Sequence, residues 1–128
     1  IEHRVHLPGH LPAPERFVGL FDVFALSSHS EQAPISLIEA MAAGRPVAAY
    51  AVGDIAAMVA EDNRPFVVPP GDEPALQRAI ETLATSPEAR AALRKANRAK
   101  ARAEFDECGM IAAYRRLYAS AMGRPNLA

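Results

Sequence analysis

The sequence has no tryptophan, three tyrosines, five phenylalanines and a single cysteine in 128 residues. One cysteine, Cys108, excludes an internal disulfide and fits a reducing, cytoplasmic setting. No base lies near it in the sequence, so it reads as an inert thiol. Long apolar runs are also missing: nothing approaches the roughly 18 residues of a membrane span. Neither sign of charge dominates, with 14 Lys and Arg against 15 Asp and Glu and a formal net charge of −1. Such a chain has no overall field to draw in DNA or RNA, so no nucleic acid partner is expected. The opening Ile-Glu-His-Arg has neither a Met nor a secretory leader pattern, which suggests a piece of a longer protein. Internal repeats and low-complexity tracts are absent from the sequence.

What is present suits one globular domain. Half the residues are apolar and 23% are charged, ordinary proportions for a soluble chain with a core. Residues 4–7 suggest a short strand, closed by the Pro8–Gly9 turn. Pro12 and Pro14 suit a loop and the first turn of a helix reaching about Phe21. Residues 23–26 form an apolar strand, and residues 27–33 a polar loop. Pro34 fits the first position of a helix that Ile35, Leu37, Ile38 and Met41 make largely apolar. Gly44 stops it. Residues 46–50 read as a strand buried on both faces. Asp54 is a candidate N-cap for a short helix through Val59, and residues 66–68 a last strand. Beyond Gly71 the pattern is helical, with starts at Asp72, Ser86 and Asp106. Alternating strands and helices imply an α/β fold: a Rossmann-like parallel sheet with helices on both faces and a helical C-terminal segment. The division is 1–71 for the α/β core and 72–128 for the C-terminal helices.

Ligands of such sheets bind at the carboxyl ends of the strands. Two connections, residues 27–33 and 51–54, fall there. The helix that starts at Pro34 leaves the amides of Ile35 and Ser36 without intrahelical partners, and its dipole is positive at that end. A diphosphate can begin to bind there without a basic side chain. Glu31 and Glu39 flank this end with seven residues between them. Glu39 lies about 7 Å further along the axis and neighbours Ser36, a placement that suits a carboxylate receiving hydrogen bonds from a ribose diol.

The residues Glu31-Gln-Ala-Pro-Ile-Ser-Leu-Ile-Glu39, then Ala40-Met-Ala-Ala-Gly44-Arg-Pro46-Val47 and Gly53, resemble retaining glycosyltransferases of the GT-B fold, family 4 (group 1). The likeness extends outward to residues 5–9, 21–26 and 69–76 and to the closing helix from Phe105 to Tyr118, so it spans nearly the whole chain. It implies the C-terminal, donor-binding half of a GT-B enzyme, with the N-terminal acceptor domain lying outside this sequence. Glu31 would be the catalytic-site residue at the donor sugar, and Glu39 would bind the ribose. Amides around Ile35, Ser36 and Leu37 would hold the distal phosphate, with Ser30 close by. Gly9 and His10 would lie near the base. The substrates implied are a nucleotide-sugar donor and a saccharide or lipid-linked acceptor, with no metal and no cofactor. The product implied is a cell-surface or capsular polysaccharide or a glycolipid.

The sequence departs from the family pattern at three places. The glycine after the first glutamate is Gln32. The glutamate of the family's GGxPE turn is Ala57. The upstream Arg and Lys that neutralise the diphosphate have no counterpart, so this polypeptide alone is expected to bind donor weakly and catalyse nothing. Two rival readings use the same fold: a sugar-nucleotide epimerase, and a non-catalytic nucleotide-sugar-binding or interaction module.

Other features read more plainly. His3, His6 and His10 lack the Cys or carboxylate companions of a metal site. His29 and the serines at 27, 28 and 30 read as loop residues, with sugar or phosphate contact as the alternative. Arg90, Arg94, Arg98 and Arg102 recur every four residues, joined by Lys95 and Lys100. That row reads as a solvated helix face, with docking to an acidic membrane's inner surface or to a neighbouring domain as alternatives. Tyr114 and Tyr118, with Ile111 and Leu117, read as a core-facing stripe.

Overall fold

Three short parallel strands carry the fold, β1 (Phe24–Leu26), β2 (Val47–Tyr50) and β3 (Val67–Val68), in the order β1-β2-β3. The computed structural model describes residues 2–124; Ile1 and residues 125–128, which the two sequence divisions include, lie outside them. Phe24 pairs with Val47 and Leu26 with Ala49, while Ala49 and Tyr50 pair with Val67 and Val68. All four β2 residues are buried. Successive strand side chains point to opposite faces, so β2 is covered on both. Helices α2 (Ile35–Ala42) and α4 (Glu73–Thr85) both touch it. The fold is therefore the expected Rossmann-like α/β arrangement, and Ala25 of β1 is an exposed position in its sheet.

Helix α2 runs between β1 and β2 and buries Leu37, Ala40 and Met41. Its end is a Schellman motif. The Arg45 amide donates to the Ala40 carbonyl and the Gly44 amide to the Met41 carbonyl, both at 2.8 Å, while Gly44 takes φ +70°. Glycine is needed for two reasons here, since a Cβ would stand 2.9 Å from Arg94 Cγ and 3.2 Å from the Arg94 carbonyl. Residue 44 is thus where helix α5 (Pro87–Glu104) crosses α2 closely.

Asp72, Ser86 and Asp106 cap α4, α5 and α6 (Glu107–Ala121) as expected. Their side chains accept from the amides of Ala75, Ala89 and Gly109 at 2.9, 3.2 and 2.9 Å.

A buried pair of asparagines joins the sheet to the helices. Asn63 accepts from the Val47 amide at 3.0 Å and donates to the Val47 carbonyl at 2.8 Å. Its carboxamide occupies the edge of β2 upstream of the point where β3 begins to pair. Asn97 of α5 donates to Asn63 Oδ1 at 2.8 Å and to the Arg45 carbonyl at 2.9 Å, and accepts from the Ala60 amide at 3.2 Å. Both asparagines are completely buried.

The basic row on α5 has a structural job. Arg90 donates to the Leu83 and Ala84 carbonyls, both at 2.7 Å, at the end of α4. Arg98 donates to the Ala43 carbonyl at 3.2 Å, beyond α2, and Lys100 to the Ala57 carbonyl at 2.7 Å, in the short helix α3 (Ile55–Met58). Three cations thus meet the carbonyl-rich ends of three helices, where the dipole favours positive charge. Replacing Arg90 with alanine should cost about 1 kcal/mol in chemical denaturation, because two carbonyls lose a charged donor. An Arg94→Ala change, at an exposed position, should cost less than half of that. Burial pushes the Arg45 guanidinium below its ordinary value, Arg94 and Arg98 push the same way, and Asp22 opposes them. Arg45 answers with hydrogen bonds to the Phe21 and Ala43 carbonyls at 2.7 and 3.1 Å.

Six local expectations change. Residues 4–7 are not a strand: Glu2–Arg4 is a 3-10 turn and the chain then runs irregularly, with Leu7 90% exposed. A strand needs a neighbour for its amides and carbonyls, and β1 has its described pairing with β2 alone. The first helix, α1, is only Glu15–Val18, because Gly19 follows and its apolar side finds little to cover, leaving Phe17 and Phe21 exposed. Pro34 is the N-cap of α2 with extended geometry, not its first helical residue. Asp54 stands at the N-cap of α3 without a capping bond, and Phe66 ends a 3-10 turn, Glu61–Phe66, rather than opening β3. The Tyr114 stripe is not core: Ile111, Tyr114, Leu117 and Tyr118 are all exposed, and Ala119 is the buried residue of α6. Amphipathic spacing marks an apolar face without saying what meets it.

Candidate functional site

The loop after β1 and the turn after β2 are locked together. The Asp54 amide donates to the Gln32 carbonyl at 2.8 Å. Gly53, at φ +53°, lies so close that a Cβ would run into the Glu31 carbonyl oxygen and stand 2.6 Å from that of Gln32. Backbone against backbone leaves no room for adjustment. Two connections at the carboxyl ends of neighbouring strands therefore form one rim, as their positions in sequence suggest.

Helix α2 presents its amino end at this rim. Ile35 is 72% exposed and Ser36 is exposed as well, so no described residue plugs that end. Among the described residues, the Ile35 and Ser36 amides have no backbone partner, whereas the Leu37 amide donates to the Pro34 carbonyl at 3.1 Å. Two free donors thus remain of the three amides singled out from the sequence. Glu31 and Glu39 are both half-buried, and Ser30 is exposed beside Glu31. Gly9 and His10 are exposed, and no hydrogen bond among the described residues ties them to the loop. His3 and His6 are exposed too, and no three His, Cys, Asp or Glu side chains among the described residues could share a metal ion. No helix among them is long and apolar enough to cross a membrane.

A cavity of about 500 Å³ opens on the same side of the sheet's carboxyl end. Ser27 and His29 reach it from the β1 loop and Tyr50 from the end of β2. Helix α4 supplies the opposite wall, with Leu76 and Ile80 between Glu73, Gln77 and Glu81. The His29 ring stacks on Tyr50 at 5.7 Å and 29°. Glu31 and Glu39 are not among its lining residues. Sequence reasoning passed over the α4 wall, because Glu73, Gln77 and Glu81 look like an ordinary solvated face. The available signal was Tyr50, a polar-tipped aromatic closing an otherwise aliphatic strand.

Parallel strands, a glycine-locked rim and an open helix end define a Rossmann-like α/β domain with its rim at the carboxyl end of the sheet. The family model of glycosyl transferases group 1 matches residues 1–100, and the chain belongs to that family. Neither a curated protein nor a solved structure matches it. Membership supports glycosyltransferase function in general, with a nucleotide-sugar donor and an acceptor as the substrate types.

Proposed function

We propose that this chain is the donor-binding domain of a retaining transferase of the GT-B type, family 4. The supporting observation is the open amino end of α2, with free amides at Ile35 and Ser36 between the half-buried carboxylates of Glu31 and Glu39. In this reading the distal phosphate of a nucleoside-diphosphate sugar sits on those two amides. Glu39 accepts from the ribose hydroxyls. Glu31 faces the transferred sugar, Ser30 lies alongside it, and Gly9 and His10 approach the base. Residues 1–71 are the donor-binding core, residues 72–128 the C-terminal segment whose helices α4 and α5 brace it, and a separate domain brings the acceptor.

The chemistry follows from charge. The bond between the anomeric carbon and the phosphate oxygen breaks, and its electron pair leaves with the nucleoside diphosphate. An acceptor hydroxyl forms the new bond to that carbon, and its proton passes to the departing phosphate oxygen. Negative charge grows on the departing phosphate, where the helix dipole and two fixed amides stabilise it. A carboxylate beside the sugar stabilises positive charge developing at the ring.

In a polypeptide joining this domain to its acceptor domain, Glu31→Ala should lower kcat by about 100-fold or more and leave nucleotide affinity nearly unchanged. Glu39→Ala should raise the donor KM by about tenfold, since a ribose contact is common to ground and transition states. Steady-state transfer assays and calorimetric titration with nucleoside diphosphates read these effects. Unchanged turnover in the Glu31 variant would remove the assignment.

A further inference from the structure

We infer that the cavity between Tyr50 and α4 is a saccharide subsite, selective for sugar rings without acidic groups. The inference takes from the proposed function only that sugars are this domain's substrates. The first observation is Tyr50. It is 3% exposed, yet its hydroxyl has no hydrogen-bond partner among the described residues. No fully buried side-chain oxygen or nitrogen among those residues lacks a partner. The hydroxyl therefore keeps some exposure, and the open space that Tyr50 lines is the cavity. A buried phenol aimed into a cavity without a protein partner is a waiting donor and acceptor.

The second observation is the chemistry of the walls. Glu73 and Glu81 bring carboxylates, Gln77 an amide and Ser27 a hydroxyl. No Lys or Arg lines the cavity. Phosphates and uronic acids would meet uncompensated negative charge there, which separates this cavity from the α2 amino end. A shared metal ion is disfavoured as well. Glu73 and Glu81 are eight residues apart on one helix, about 12 Å along its axis, and Glu81 already accepts from Gln77 Nε2 at 2.8 Å. Acceptors spaced that widely suit the scattered hydroxyls of a sugar. His29, exposed on one side and stacked on Tyr50 on the other, offers a flat surface to the C–H face of a ring. The volume, about 500 Å³, lies within the roughly 300–1,000 Å³ of small-molecule sites.

Two sources share this chemistry: the sugar carried by the donor, and a sugar unit of the acceptor. Saturation-transfer NMR on the 128-residue chain tests the site with methyl glucoside, maltose and glucuronate as probes. Transfer to the two neutral glycosides and little to glucuronate is expected. Tyr50→Phe keeps the ring and its stack but removes the hydroxyl, and should weaken neutral glycoside binding about three- to tenfold. Glu81→Gln, at an exposed position, is the second variant and should weaken it similarly. Competition by a nucleotide sugar would assign the subsite to the donor's sugar, and simultaneous binding would assign it to the acceptor. Absence of transfer to any neutral glycoside, or transfer unaffected by both variants, would overturn the inference. Titration of the same samples with nucleoside diphosphate separately reports on the α2 end, so the two readings fail independently.

Discussion

Replacing Asn63 with alanine is expected to lower the unfolding free energy by about 3–5 kcal/mol, the largest loss from any single polar truncation in this domain. The change leaves the Val47 amide and carbonyl without partners in a fully buried strand. Each stranded group costs roughly 1–3 kcal/mol, because water cannot replace the lost bond. Asn97→Ala should follow closely, since it strands the Arg45 carbonyl and the Ala60 amide. The two residues bond to each other at 2.8 Å, so the double variant should lose less than the sum of the singles. Urea denaturation of the two single variants and the double variant reads this coupling. Additive losses would mean that the two side chains act separately.

Substituting alanine at Gly53 should do more damage than substitution at any other described glycine of positive φ, because its clash is with backbone where that at Gly44 is first with the Arg94 side chain. Left-handed geometry costs an ordinary residue about 1–2 kcal/mol by itself. Here the new Cβ also runs into the Glu31 backbone, and overpacking of that kind adds roughly 1–3 kcal/mol. Relief requires the loop to move, and the loop carries Glu31. A stability loss of about 2–5 kcal/mol should therefore come with weakened nucleotide binding. Gly71→Ala is the matched control: it has φ +79° and nothing within 4 Å of the added carbon. It should show the conformational cost alone and leave binding intact. Equal effects at the two positions would mean that the rim is not rigid.

The candidate site's geometry was legible to the extent that its parts are local. Glu31, Ile35, Ser36 and Glu39 lie within nine consecutive residues, and the helix between them follows from its apolar spacing and its Gly44 stop. Free amides at a helix start are a covalent consequence of helix geometry. That Leu37 gives its amide to Pro34 depended on Pro34 being the cap instead of the first helical residue. The extended backbone of Pro34 decides that point, and composition is silent on it.

Longer-range features were not legible. Asn63 and Asn97 are separated by 34 positions and look like surface polar residues until the fold brings them together. The basic row on α5 could be read as a charged face or a docking surface but not as a brace for helix ends, because its carbonyl partners belong to three other helices. The α6 stripe has core spacing yet is exposed, with Leu117 at 62%.

The amino-acid sequence by itself determined the α/β class, the caps at Asp72, Ser86 and Asp106, and the pairing of an open helix end with two glutamates. These depend on contacts within a turn or two of chain, where residue type dictates geometry. Tertiary structure decided the interlock of Gly53 with Glu31, the asparagine pair beneath the sheet, and the cavity that Tyr50 enters. Each of these joins groups from separate elements, and their distances are set only when the strands pair and the helices pack.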